Sequence, residues 1–177
     1  MDVRFVLTEL ARIDALRYEA VALPFFEDER PLRGAAGLCD WRLCGRLSAI
    51  LRGGRVTGAL GELTLLPARP RLPFDKMLLV GCGAREGFDE RRFRAVTAAT
   101  FEAAAGLRLR NLALSLPGRG AGRVAAGEAM RWFLDAAGGS VLEEAIVLDD
   151  VEAVKVMQPI VESERRRARA VRDQGDT

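Results

Sequence analysis

The sequence predicts an α/β sandwich: a central, mixed but mostly parallel sheet with helices on both faces. Two observations carry this expectation. Strand-like and helix-like segments alternate along most of the chain, and several strand-like runs are apolar at nearly every position, as strands covered on both faces are. A length of 177 residues fits one domain, and a hydrophobic content of 49% is enough to bury a continuous core.

The elements follow in order. "VRFVL" alternates Val3, Phe5 and Leu7 with Arg4 and Val6, the pattern of a half-exposed strand. "YEAVALPFF" is apolar almost throughout and reads as a strand buried on both faces, ended by Pro24 and the charged "EDERP" run. From Gly34 to about Arg52 the residues Ala36, Cys39, Leu43, Leu47 and Ile50 recur at spacings of three and four, so one helix is expected, stopped by "RGG". "GELTLLP" and "KMLLVG" are two strands separated by the proline-rich "PARPRLP". A helix from Glu90 to Ala105 places Phe93, Val96, Thr100, Phe101 and Ala104 on one face. "LRNLALSLPG" is a strand, "GRVAAGEAMRWFLDAAGG" a helix closed by Gly138 and Gly139, and "EEAIVLDD" the last strand. A final helical stretch from Val151 is expected to be interrupted at Pro159, which divides the chain into a domain over 1–158 and a helical tail over 159–177.

Composition excludes several chemistries. There is no histidine, which removes the commonest general base, the usual triads and histidine-containing zinc sites. Cys39, Cys44 and Cys82 make no even disulfide framework, and Cys39 and Cys44 fall off a common helix face. No run is long and apolar enough for a membrane span and the N-terminus lacks a signal-peptide core, so a cytoplasmic, reduced protein is expected. All basic residues except Lys76 and Lys155 are arginine, spread along the chain as in a coding bias, and a formal charge of +2 gives no overall attraction to nucleic acid or membrane while leaving room for a local basic patch.

Two glycine loops invite a phosphate-cradle reading. Gly81, Gly83 and Gly87 precede an independently located helix start: Asp89 is a preferred N-cap type, with Phe88 and Phe93 in the staple positions. Asp89 and Glu90 then occupy the positive helix end and repel a phosphate, so this loop is read as a βα turn. The loop over 117–123 is the better candidate. It carries Gly118, Gly120 and Gly122, a helix expected to start near Gly122 or Arg123, and Arg119 and Arg123 beside its amides. These five residues form the candidate anion site, with a solvated strand-to-helix connection as the plainer alternative. It is not a Walker loop, since Gly-Lys-Ser/Thr is missing.

The acidic residues Glu143, Glu144, Asp149 and Asp150 flank the last strand at opposite ends, which argues against a shared metal; Asp149 or Asp150 is expected to cap the next helix. The tail "ESERRRARAVRD" reads as a solvated helix face with local ion pairs. Trp41 and Trp132 are expected to pack as core or interface aromatics. No catalytic residue, metal ligand or cofactor site emerges.

Three stretches, "GRLSAILRGGRVTGALGELTLLP", "DKMLLVGCGAREGFDERRFRAV" and "NLALSLPG", resemble in order and spacing the N-terminal domain of leucyl aminopeptidases. Gly58-Ala59-Leu60-Gly61-Glu62 and Leu79-Val80-Gly81-Cys82-Gly83 carry the likeness, which spans Asp14 to Asp150. The resemblance implies a macro-domain-like three-layer sandwich. In that family a larger C-terminal domain holds the metals and catalytic residues, and its Asn-Thr-Asp-Ala-Glu-Gly-Arg signature does not occur in this sequence. The resemblance therefore implies a non-catalytic interaction or assembly role, by self-association or with a protein partner. The alternative is binding of ADP-ribose or another phosphate-bearing nucleotide through the 117–123 loop; the near-neutral charge does not favour nucleic acid.

Overall fold

In a computed structural model of the chain the backbone is described for residues 1–175 and the side chains for residues 1–170. Six strands, β1 (Asp2–Leu7), β2 (Tyr18–Phe25), β3 (Leu63–Pro67), β4 (Phe74–Gly81), β5 (Asn111–Leu114) and β6 (Glu144–Asp149), form one sheet in the order β1-β6-β5-β2-β4-β3. Every pairing is parallel except β3 with β4. The expected mixed, mostly parallel sheet is present.

Two apolar layers enclose it. One face is covered by α4 (Glu90–Gly106), α5 (Ala126–Ala136) and α6 (Val151–Gly175), which bury Phe93, Phe101, Met130, Phe133 and Met157 against Leu112 and Val147. The other is covered by α1 (Leu10–Asp14), α2 (Gly34–Arg42) and α3 (Arg46–Arg52), with Ile13, Cys39 and Leu47 on Val21, Leu79 and Ile146. The alternation of Leu78 and Val80 against Met77 and Leu79 along β4 serves both layers at once, which is why that strand reads as uniformly apolar.

The helix expected over 34–52 is two helices. The chain breaks at Cys44 and Gly45, both with positive φ, and the Gly45 amide closes the turn on Asp40 O at 2.9 Å. The Asp40 carboxylate then accepts from the amides of Leu47 and Ser48 and restarts α3. Ala36, Cys39, Leu43 and Leu47 are nevertheless all buried, so the apolar stripe survives the break and hides it from periodicity.

Two proline expectations also fail. β2 continues through Pro24 to Phe25, paired with Val80 and Gly81. The β5 ladder on its other side ends at Ala22, so the missing proline amide forfeits no bond there. Helix α6 runs through Pro159 without interruption. Pro159 faces solvent while Met157 and Val161 on either side are buried, and Arg165 one turn later donates to Val3 O at 2.6 Å. Packing on both flanking turns offsets the single lost helical bond. Of the tail charges, Arg172, Asp173 and Asp176 lie outside the described side chains.

Candidate functional site

The carboxyl ends of β2 and β5 are neighbours, yet the chain leaves β2 toward α2 on one face and leaves β5 toward α5 on the other. Such a divergence opens a crevice at the strand ends, where ligands of open α/β sheets commonly sit. A cleft of about 270 Å³ occupies this place, lined by Phe26, Glu29, the α2 start, Ser115, Gly118–Ala121 and Asp149.

Its walls are built from local sequence. Glu29 is buried and holds the β2–α2 connection by accepting from the amides of Phe26 (3.3 Å) and Arg33 (2.9 Å). Burial pushes its carboxyl above the usual range, and those two amides pull only partly against it. Helix α2 begins after Arg33 with no side-chain cap, and Gly34, Ala35 and Ala36, whose amides precede the first intrahelical bond at Gly37, line the cleft. Opposite them, a Cβ on Gly34, where φ is +57°, would stand 3.1 Å from the Gly120 Cα, so the helix start and the glycine loop close on each other. The Ser115 hydroxyl is buried on the cleft wall with no hydrogen-bond partner among the described residues.

The loop over 117–123 thus lies at the cleft, but differs from the sequence expectation in two respects. Helix α5 starts at Ala126, not near Gly122 or Arg123. The intervening residues turn on themselves, Gly122 N donating to Arg119 O and Arg123 N to Gly118 O, both at 2.9 Å. The loop therefore does not aim a helix N-terminus at the cleft; α2 does. Second, Arg119 is committed. Its Nε and Nη2 donate to the two carboxylate oxygens of Asp149 at 2.9 and 3.1 Å, and Nη1 to Val124 O at 2.9 Å. Arg123 stays exposed.

Sequence reading did not bring Asp149 to this loop, because β5–β6 adjacency is a long-range pairing with no local signal. The helix-capping role expected there belongs to Asp150, whose carboxylate accepts from Ala153 N at 2.8 Å. As expected, Asp149 and Asp150 lie at the opposite end of β6 from Glu143 and Glu144. Among the described residues no three metal-ligating side chains cluster. The Cys82 thiol is pushed up by burial, then by the nearby Glu29 carboxylate.

The first glycine loop is the turn it was expected to be. Asp89 caps α4 by accepting from Arg92 N at 2.9 Å. Gly81 is required for packing: a Cβ there would lie 2.0 Å from Ala59 O. Gly83 N donates to Gly58 O at 2.8 Å, tying the same segments together.

A three-layer sheet with a crevice at the carboxyl ends of β2 and β5 is a macrodomain-type sandwich. The Trypanosoma brucei macrodomain in complex with ADP-ribose superposes with a TM-score of 0.70 at 17% identity, covering 90% of this chain and 68% of that one. A tomato leucine aminopeptidase superposes at 0.59, also at 17% identity, over 89% of this chain and 35% of that one. Residues 22–150 match the N-terminal domain of the cytosol aminopeptidase family, and the chain belongs to that family. A probable cytosol aminopeptidase of Azotobacter vinelandii is 39% identical over 87 residues, 49% of this chain and 18% of that protein. The chain spans less than a quarter of the length of the curated relatives it matches, within their N-terminal domain. Among the described residues no helix is long and apolar enough to cross a membrane.

Proposed function

We propose that this domain is a non-catalytic assembly module that pairs with a second copy of itself through the free edge of β3. One observation carries the reading. β3 closes the sheet at one side, and Leu63 and Leu65 on it are 41% and 48% exposed, with Leu60 just before them at 47%. An uncovered apolar edge strand is a template for strand addition unless it is blunted.

The ladder supports this geometry. Gly81 N donates to Glu62 O and Ala68 N to Asp75 O, so the Glu62 carbonyl and the Ala68 amide point at β4. By alternation, Leu63 and Leu65 point theirs outward. Two copies related by a two-fold axis at Leu65 place Leu63 of one opposite Pro67 of the other. That pairing aligns an uncharged strand with itself, and its only missing donor is Pro67. Sedimentation across a wide concentration range tests it: a dimer in the wild type that becomes a monomer in Leu65→Lys is the expected result. A wild type that stays monomeric throughout overturns the proposal.

A second reading concerns the strand-end cleft. The unpartnered Ser115 hydroxyl and the open α2 amides are what a phosphate-bearing nucleotide would use, with Gly120 and Ala121 of the 117–123 loop as further donors and Arg119 as the clamp behind them. The likeness in fold to a macrodomain solved with ADP-ribose supports it only at the level of architecture. Calorimetric titration with ADP-ribose decides it, saturable heat lost in Ser115→Val being the expected result and a flat trace with folded protein the contrary one.

A further inference from the structure

Before β2 and β4 begin, and alongside α2, two adjoining concavities hold features that the strand-end cleft and the β3 edge do not use. One, of about 500 Å³, is lined by Arg17, Arg42, Arg69 and Arg71. The next, of about 640 Å³, shares Arg42 and Arg71 and is bounded by Trp41. Trp41 is 66% exposed, while the other tryptophan, Trp132, packs edge-on against Phe93 at 5.3 Å. A large aromatic ring left in solvent beside a concavity is uncommon for a residue that is highly buried on average.

The charges around it are unbalanced. Asp14 and Asp40 are the carboxylates lining the two concavities, and both are already engaged. Asp14 pairs with Arg42, while Asp40 accepts from the amides of Leu47 and Ser48. Arg69 is held by Asp75. Arg17 donates only to the carbonyls of Asp14 and Leu16, and Arg71 only to the Cys44 sulfur at 3.1 Å, so neither has a carboxylate partner among the described residues. The Arg42 guanidinium lies 5.9 Å from the Trp41 ring centre and braces one side of it.

We propose that this surface binds a nucleotide unit, its base stacked on Trp41 and its phosphate held between Arg17 and Arg71. A flat π-face satisfies the exposed indole, and an oxyanion satisfies guanidinium groups that carry no counter-charge; a nucleotide supplies both at adjoining positions. The same chemistry is offered by a free mononucleotide and by a single-stranded nucleic acid. This proposal goes beyond the assembly reading and does not rest on it.

The test uses the full chain carrying Trp132→Phe, which leaves Trp41 as the sole tryptophan reporter. Fluorescence titrations with AMP, with ADP and with a short oligodeoxyadenylate are run at low and moderate salt. Saturable quenching of Trp41 is expected, weakened about tenfold or more in Arg17→Gln/Arg71→Gln. Quenching by the mononucleotides as strong as by the oligonucleotide identifies a small-molecule site. Binding of the oligonucleotide alone, falling steeply with salt, identifies a strand. Absence of quenching with every probe, or quenching unchanged in the arginine variant, overturns the proposal. Calorimetric binding of ADP while Trp41 is quenched by none of the probes also overturns it, because the ligand then sits elsewhere on the protein.

Discussion

Removing the Arg119 guanidinium separates a structural clamp from an arginine kept for a ligand. Arg119 and Asp149 side chains are 14% and 8% exposed and are joined by two parallel bonds. Deleting one member of a buried pair typically costs about 3–5 kcal/mol, because the other charge stays behind without its partner. Asp149 keeps the Asp150 amide at 2.9 Å and lies on the cleft wall, so the lower end, about 3 kcal/mol, is expected for Arg119→Ala. That corresponds to a fall in Tm of about 6–12 °C for a chain of this size. Arg119→Met with Asp149→Leu removes both charges and is expected to recover most of the loss. Arg123→Ala, at an exposed position of the same loop, is expected to stay within about 0.5 kcal/mol of wild type. Urea unfolding with an unchanged m-value measures all three. If Arg119→Ala were as stable as Arg123→Ala, the ion pair would contribute nothing and the clamp would be refuted.

Other expectations are as direct. Glu29 has its carboxyl pushed up by burial, so its ionisation opposes folding: stability present below its unfolded value is lost as pH rises through the folded one. Glu29→Gln is expected to abolish that part of the pH dependence, read from urea midpoints between acid and neutral pH. Glu62 behaves oppositely. Partial burial opposes its ionisation, but bonds from the Thr57 hydroxyl and the amides of Thr57 and Gly58 at 2.7–2.9 Å outweigh it and lower its pKa. Its contribution is therefore present at neutral pH and lost as pH falls through the folded value, and Glu62→Ala is expected to cost about 1–3 kcal/mol in the same assay. Gly81→Ala drives a Cβ into the Ala59 carbonyl and is expected to leave little folded protein, as circular dichroism would report. Cys44 is exposed while Cys39 and Cys82 are buried, and burial pushes the Cys39 thiol up to about 12; a thiol reagent is expected to label one cysteine in the native protein and three after denaturation.

What could be read from sequence was whatever repeats locally. The α4 cap at Asp89, its buried face and the sheet's parallel character all follow from spacing within a dozen residues. The break at Cys44 and Gly45 escaped because periodicity reports burial, and burial is the same on both sides of the break. Pro24 and Pro159 misled for the opposite reason: a local rule about a missing amide yielded to the ladder and the packing around it. The site fared worse than the fold. The glycine loop was recognised from its own residues, but its meaning depends on Asp149 and on the α2 amides. Those arrive through β5–β6 pairing and the close approach of Gly34 to Gly120, neither of which leaves a local trace.

The strand-end cleft and the two concavities are lined by different charges, and the difference bears on what each can bind. The strand-end cleft sets Glu29, Asp149 and Asp150 against Arg33 and Arg119, whereas the two concavities together set four arginines against Asp14 and Asp40. The cleft lining thus has a slight acidic excess and the other linings a basic one, a difference that the formal charge of +2 does not show. Arg17 lies before β2 and the cleft lies beyond that strand's other end, seven strand steps or about 23 Å away and more than the screening length of about 8 Å in physiological salt, whereas Trp41 lies seven helical steps, about 10 Å, from Gly34 at the cleft. The Arg17 and Arg71 charges therefore act little on a ligand in the cleft. Arg17→Gln/Arg71→Gln is accordingly expected to leave the Ser115-dependent part of any ADP-ribose heat unaltered, and Ser115→Val to leave Trp41 quenching unaltered. Loss of both signals in either variant would mean that the two surfaces are one site or that the variant is misfolded, and circular dichroism on the same samples separates those outcomes.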